Sequence, residues 1–141
     1  MTDDSGIKEV EMKQFVLSVA CSVLFLLCGC AVQNNHLAPE DFAECLKENG
    51  IKVESVRPES PTVFKATSAC AIKVDGEDIL VFKYDISTKV QRERLARIAQ
   101  TRKVYAVGFP FYAYVHGSFA FVKLDKCKQK HAVIKAIKRF N

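Results

Sequence analysis

The chain has 141 residues, of which 49% are hydrophobic and 26% charged, with a formal net charge of +5. That length leaves room for one small domain around one core and excludes a multidomain architecture. The sign of the charge bears on partners, because a basic surface attracts lipid headgroups, wall polymers and nucleic acid alike.

The first element in chain order is an apolar run from Phe15 to Leu27, broken only by Ser18 and Ser22, preceded by Lys13 and closed by Leu27-Cys28-Gly29-Cys30. A basic start, an apolar middle and a small-residue exit are the parts of an export signal. The segment resembles the lipobox of bacterial lipoproteins, with Leu27 three residues before Cys30 and Gly29 directly before it. The resemblance implies a signal peptide over residues 1–29, cleavage before Cys30, and a diacylglycerol thioether with an amide-linked acyl chain on Cys30. It implies no further cofactor. Two or more acyl chains hold a protein firmly at a bilayer. The expected location is therefore the bacterial cell envelope, and Ala31, where an acidic residue would retain the protein at the inner membrane, leans towards the outer membrane of a Gram-negative cell. Asp3, Asp4, Glu9 and Glu11 precede Lys13, an unusual opening for an export signal, whereas Met12-Lys13 is an ordinary one. Residues 1–11 thus read as an upstream over-reading. The other reading of the run is an uncleaved anchor, since a spanning helix needs roughly 20 apolar residues and Phe15 to Val32 nearly reaches that.

Beyond Cys30, residues 30–37 read as a lipidated cysteine and a polar tether, and residues 38–141 as the folded domain. Pro39 to Glu48 is a predicted helix: Pro39 suits a first turn, Glu40 and Asp41 favour the positive end, and Asn49-Gly50 stops it. Ile51 to Val56 is a candidate strand, Pro58 to Pro61 a break, and Val63 to Ala66 a candidate edge strand. Cys70–Val74 and Ile79–Tyr84 flank Asp75-Gly76, a strong hairpin signal. Asp85 or Ser87 caps a second helix to about Gln100, and Val104 to Val107 is a further strand. Phe109–Val115 and Ser118–Leu124 form a second hairpin about His116-Gly117, and Lys126–Phe140 a closing helix. Local antiparallel hairpins with intervening helices predict an α+β fold: a small antiparallel sheet of two hairpins plus one or two further strands, packed by three helices.

The second half resembles a group of small bacterial lipoproteins and secreted proteins with no known reaction. The matching residues are Ile72, Val74, Asp75-Gly76-Glu77, Ile79, Val81, Phe82 and Tyr84, then Pro110-Phe111-Tyr112, Gly117 and the strand to Leu124. The likeness covers about residues 70–141, departs at Ala113 to His116, and implies location and fold rather than activity.

Two binding surfaces are candidates. Strand alternation gathers Phe82, Tyr84, Tyr112, Tyr114, Phe119 and Phe121 with Lys73 and Lys123 on one face if the helices cover the other. Such a face could stack sugar rings or bases, or pair with another subunit as a homo-oligomer. The plain alternative is that another element covers it, or that one hairpin slips by a residue. Charge supplies the second candidate: residues 31–82 carry five basic and nine acidic side chains, residues 83–141 fourteen and three. Arg92, Arg94, Arg97, Lys128, Lys135 and Lys138 would have to form one surface to bind nucleic acid, the least favoured of the anionic partners; a solvated face is the alternative.

No Gly-rich phosphate loop, Ser-centred elbow or Cys-x-x-Cys and His-x-x-x-His spacing occurs in the exported part, which argues against a metal and against those catalytic classes. Cys45, Cys70 and Cys127 are an odd set that cannot all pair within the chain. Cys45 and Cys70 read as core positions, and Cys127 with His131 could share a helical face. The sequence therefore predicts a membrane-anchored envelope lipoprotein that is not an enzyme. It would act as an adaptor or structural protein for another envelope protein or an anionic envelope polymer. The alternatives are a small envelope enzyme or inhibitor, and a basic-surface binder.

Overall fold

The structure is a computed structural model that describes residues 32–141. The lipobox positions Leu27, Gly29 and Cys30 lie outside the described residues. In chain order the elements are α1 (Asp41–Glu48), β1 (Ser55–Pro58), a 3₁₀ turn (Pro61–Phe64), β2 (Ser68–Val74), β3 (Glu77–Lys83), α2 (Lys89–Thr101), β4 (Lys103–Ala106), β5 (Phe109–His116), β6 (Phe119–Val122), a second 3₁₀ turn (Leu124–Lys126) and α3 (Lys130–Lys138). The six strands form one antiparallel sheet in the order β1-β2-β3-β6-β5-β4. With three helices this is an α+β fold, built on two hairpins and two further strands. Each half is a three-stranded meander, and the halves meet where β3 pairs with β6.

Alternation along the strands gives two apolar faces, and both are covered. One face buries Cys70, Ile72, Val81, Phe119 and Phe121 under α1 and α3, which contribute Phe42, Leu46, Val133 and Ile137. The opposite face buries Phe82, Tyr84, Val104 and Val122 under Leu95 of α2, with Phe64 packed alongside. The phenylalanines interlock edge-on, Phe42 with Phe121 at 4.8 Å and Phe64 with Phe82 at 4.8 Å between ring centroids. Such pairs add directional preference to simple burial.

Turn chemistry sets the registers. Asp75-Gly76 has φ of 51° and 77°, the double left-handed conformation of a type I′ hairpin, so Ile72 opposes Ile79 as expected. In the second hairpin the loop is Gly117-Ser118 rather than His116-Gly117. His116 pairs with Phe119, and Tyr114 therefore opposes Phe121. The reason is that Gly117 takes the positive φ, 59°, at the first loop position, where a type II′ turn needs glycine.

Other boundaries differ from expectation, among them the start of α2, whose N-cap is Thr88 rather than Asp85 or Ser87. The segment Val63–Ala66 is not an edge strand: Pro61 opens a 3₁₀ turn, and Phe64 is drawn onto Phe82. Pairing of the first strand begins late, so β1 covers Ser55–Pro58 while Ile51 is buried in the core without a strand partner. The closing helix starts at Lys130, after a 3₁₀ turn that follows the left-handed Lys123, φ 67°. Finally, the expected tether is folded onto the domain from Asn34 onward.

Asn34 is fully buried. Its Oδ1 accepts from the Ser118 N–H at 2.8 Å, and its Nδ2 donates to the Phe140 carbonyl at 2.9 Å and the His116 carbonyl at 3.3 Å. The neighbouring Asn35 donates to Asp85 Oδ1 at 3.2 Å and accepts from the Ile86 N–H at 3.1 Å. One buried amide thus joins the start of the domain, the β5–β6 turn and the chain end. A Cβ on Gly117 would collide with Asn34 Oδ1, so that glycine is required both for its φ and for this approach. Asn34→Ala leaves the buried Ser118 N–H without an acceptor and is expected to cost about 2–3 kcal/mol in urea denaturation; a loss under about 0.5 kcal/mol would remove Asn34 from this role.

Candidate functional site: an aromatic arm and a basic cleft

The strand β5 is longer than β4 and β6, and it is shared between them. Its first four residues, Phe109–Tyr112, pair with β4, and its last four, Ala113–His116, pair with β6. Residues 103–112 therefore form a two-stranded arm that runs on past the end of β6. The root rung is the Ala113 N–H to Arg102 carbonyl bond, 3.0 Å. An isolated two-stranded ribbon is marginal in water, and this one is supported on one side by Phe111, which packs on Phe64.

The arm buries Val104 but exposes four other large apolar side chains. Tyr105 is 61% exposed, Val107 96%, Phe109 69% and Tyr112 68%. The register puts Tyr105 and Tyr112 on one face and Phe109 on the other, beside Val104. Lys103 Nζ lies over the Tyr112 ring, 5.9 Å from its centroid, a weak attraction at an exposed site. Four large apolar groups this exposed on one short ribbon are the kind of patch that marks an interaction surface. The tip adds strain. Val107 holds φ 50° and Gly108 φ 79°, the same turn as Asp75-Gly76, but with a β-branched residue where aspartate stands in the other hairpin. A β-branched side chain at positive φ is disfavoured by its own backbone.

Beside the arm root, between β4, α2 and the first 3₁₀ turn, is an open cleft of about 430 Å³. Lys65, Arg94, Arg97 and Lys103 line it, over apolar Phe64 and Ile98, and its lining contains no carboxylate. Gln91 Nε2 donates to the Lys65 carbonyl at 3.1 Å, tying the 3₁₀ turn to α2. A second cleft of about 390 Å³ lies near Tyr112, Tyr114 and Phe121; its lining holds Arg102 and Lys130, the latter paired with Asp125 at 2.7 Å. The first cleft is thus the one that gathers four cations and no carboxylate.

The two surfaces drawn from the sequence are divided by the fold. Phe82, Tyr84, Phe119 and Phe121 are all buried, and they lie on opposite faces of the sheet, because β6 docks on β3 with Phe121 opposite Val81 rather than beside Phe82. Of the proposed aromatic face only Tyr112 is exposed, and Tyr114 is half-buried against the core. Lys73 sits opposite Asp78, and Lys123 is exposed beyond the end of β6. The basic set also separates. Arg92, Arg94 and Arg97 belong to α2 on one side of the sheet, while Lys135 and Lys138 belong to α3 on the other, with Lys128 just before it. Lys65, Lys103, Tyr105, Val107 and Phe109 were not singled out from the sequence. The available signal was Val107-Gly108 between two short β-type runs, with Tyr105 and Phe109 flanking it.

Other chemistry is structural. Cys127 is buried and extended outside α3, so it does not share a helical face with the exposed His131. His116 Nε2 lies 3.2 Å from Asn141 Oδ1. Asp85 is held below the usual carboxylate range, first by the Ser87 hydroxyl and then by Asn35. Tyr84 donates to the Phe64 carbonyl at 2.8 Å, and burial pushes it up to about 12. Cys45, Cys70 and Cys127 are free, buried thiols. Burial raises the first two, Cys70 to about 12 with a smaller push from Glu40. Among the described residues no cluster of three His, Cys, Asp or Glu could hold a metal ion, and no helix is long and apolar enough to cross a membrane. Compared with protein-family models, curated proteins and solved structures, the chain matches none of them.

The division of the aromatics separates two substitutions. Phe121→Ser is expected to lose about 3–5 kcal/mol of stability and Tyr112→Ser less than about 0.5 kcal/mol, read by chemical denaturation; equal effects would contradict the register. At pH 8 the native Cys70 thiol should alkylate on the order of a thousandfold more slowly than a free cysteine. Peptide-level mass spectrometry checks this, and urea should abolish the protection.

Proposed function

We propose that the protein is a membrane-anchored bacterial envelope lipoprotein that works as an adaptor, binding a partner through the β4–β5 arm and its basic cleft. The observation that carries the reading is the arm itself: four large apolar side chains exposed on one narrow ribbon, next to four cations without a facing carboxylate. A binder needs such a surface, and a monomer has no folding reason to keep one.

In this reading Cys30 carries the acyl chains only four residues before Asn34, a reach of at most about 14 Å. Asn34 sits at the β5–β6 turn, and the arm tip lies at the other end of the eight-residue strand β5, roughly 26 Å away. A lipid-held domain would therefore keep the β5–β6 turn near the bilayer and direct the arm towards the aqueous side. The division of the basic residues between the two sides of the sheet weakens a nucleic-acid role, which needs one continuous positive surface.

Expression of the full chain in a bacterium, with and without Cys30→Ala, tests the anchor. The expected result is a membrane-associated, acylated species beginning at Cys30 by intact mass, and its loss in the variant. An unprocessed soluble chain from both would overturn the reading.

A further inference from the structure

The sheet has two outer edges, and they differ. β1 is short, contains Pro58 and carries Arg57, whose guanidinium is held by Asp78 at 2.6 Å. Proline and charge are the usual means of closing an edge to further pairing. β4 is equally short and begins with Lys103, but it has no proline, its centre Val104-Tyr105 is uncharged, and it pairs with β5 alone. Hydrogen-bonded and non-hydrogen-bonded positions alternate in an antiparallel ladder. Arg102 bonds to Ala113, so Val104 and Ala106 also face β5, and the backbone of Lys103 and Tyr105 faces outward. The Lys103 N–H and carbonyl lie 3.4 and 3.3 Å from Thr101 Oγ1. The Tyr105 N–H and carbonyl are left pointing away from the sheet.

We infer that this edge takes up an extended acidic segment of a partner protein as a seventh, antiparallel strand. Strand addition gives affinity through the main chain and specificity through alternate side chains. Residues of the added strand that face the cleft would meet Lys65, Arg94 and Arg97, and acidic side chains complement that lining. Residues facing the other way would meet Lys103 and Tyr105, which share a face with Tyr112, and an apolar side chain fits the Tyr105 ring. The same charge argues against a second copy of this chain, because two β4 edges side by side would bring two sets of these cations together. The inference deepens the binding reading of the arm and does not depend on acylation of Cys30.

The test uses the full-length chain in detergent and a fluorescein-labelled peptide of about eight residues alternating glutamate and valine, a length typical of a strand. Fluorescence anisotropy should show saturable binding, and amide NMR shifts should centre on Tyr105. Arg94→Glu with Arg97→Glu should weaken binding at least about tenfold by removing two of the charge-assisted contacts. Lys135→Glu with Lys138→Glu, on the other side of the sheet, should leave it unchanged. Methylating alternate backbone amides of the peptide should abolish binding without altering the protein. Equal affinity for the methylated peptide would mean plain anion attraction and overturn strand addition. No loss in the cleft variant, or concentration-dependent self-association that buries Tyr105 and that the peptide cannot reverse, would also overturn it. Each of these results stands whether or not Cys30 proves to be acylated.

Discussion

The pairing of β3 with β6 is the constraint on which the rest of this structure depends. Each meander can form locally, through turns of two residues except where residues 59–67 join β1 to β2, but neither has a core until the other is beside it. The register puts Val81 opposite Phe121 and Phe82 opposite Ala120. Large residues thereby meet on the α1/α3 face, and a large residue meets a small one on the α2 face. A one-residue slip would send every side chain of one meander to the wrong side. With both faces covered by helices, such a slip would bury mismatched volumes on each of them, so packing specifies the register from two directions at once.

Asn34 secures the arrangement at one end of the sheet. A buried polar group is costly unless its hydrogen bonds are met, and here the amide oxygen and nitrogen both find backbone partners. Those partners, the Ser118 N–H and the Phe140 and His116 carbonyls, come from a tight turn and from the end of the chain. They need Asn34 as much as it needs them, because the buried Ser118 N–H has no water to satisfy it. The segment before α1 is for this reason part of the fold. At the opposite end of β5 nothing comparable exists. There the strand outruns β6, and β4 alone continues with it. The same strand thus has one end sealed by a buried amide and one end that leaves a ribbon, an outer edge and a basic cleft in the open.

Much of the local structure was legible in the sequence. Asp75-Gly76 between alternating runs predicts the first hairpin and its register, because an aspartate–glycine pair favours the two left-handed residues of that turn. The three helices follow from apolar spacing, and α1 from its proline and acidic start. Within the paired strands of each hairpin, the sorting of side chains into faces is also correct, though Leu124, beyond the end of β6, packs with Phe119 and Phe121 instead of with Val122. The missed features share one cause. Phe64 leaves the expected edge strand to pack on Phe82; Asn34 leaves the expected tether to meet Ser118. Both moves are driven by partners distant in sequence. The aromatic face failed for the same reason: the alternation inside each hairpin says nothing of how two hairpins align with each other.

The sequence by itself determined the class of fold, the secondary structure of its hairpins and helices, and the uneven distribution of charge, because turn residues and apolar periodicity act over a few neighbouring residues. The tertiary structure alone decided which aromatics are core and which are exposed, that the arginines of α2 and the lysines of α3 lie on opposite sides of the sheet, and that Lys65 joins Arg97 and Lys103 in one cleft. Those outcomes are set by the β3–β6 register and by the unequal lengths of β5 and its neighbours. Both are settled by how volumes fill two shared cores, a property of the assembled chain.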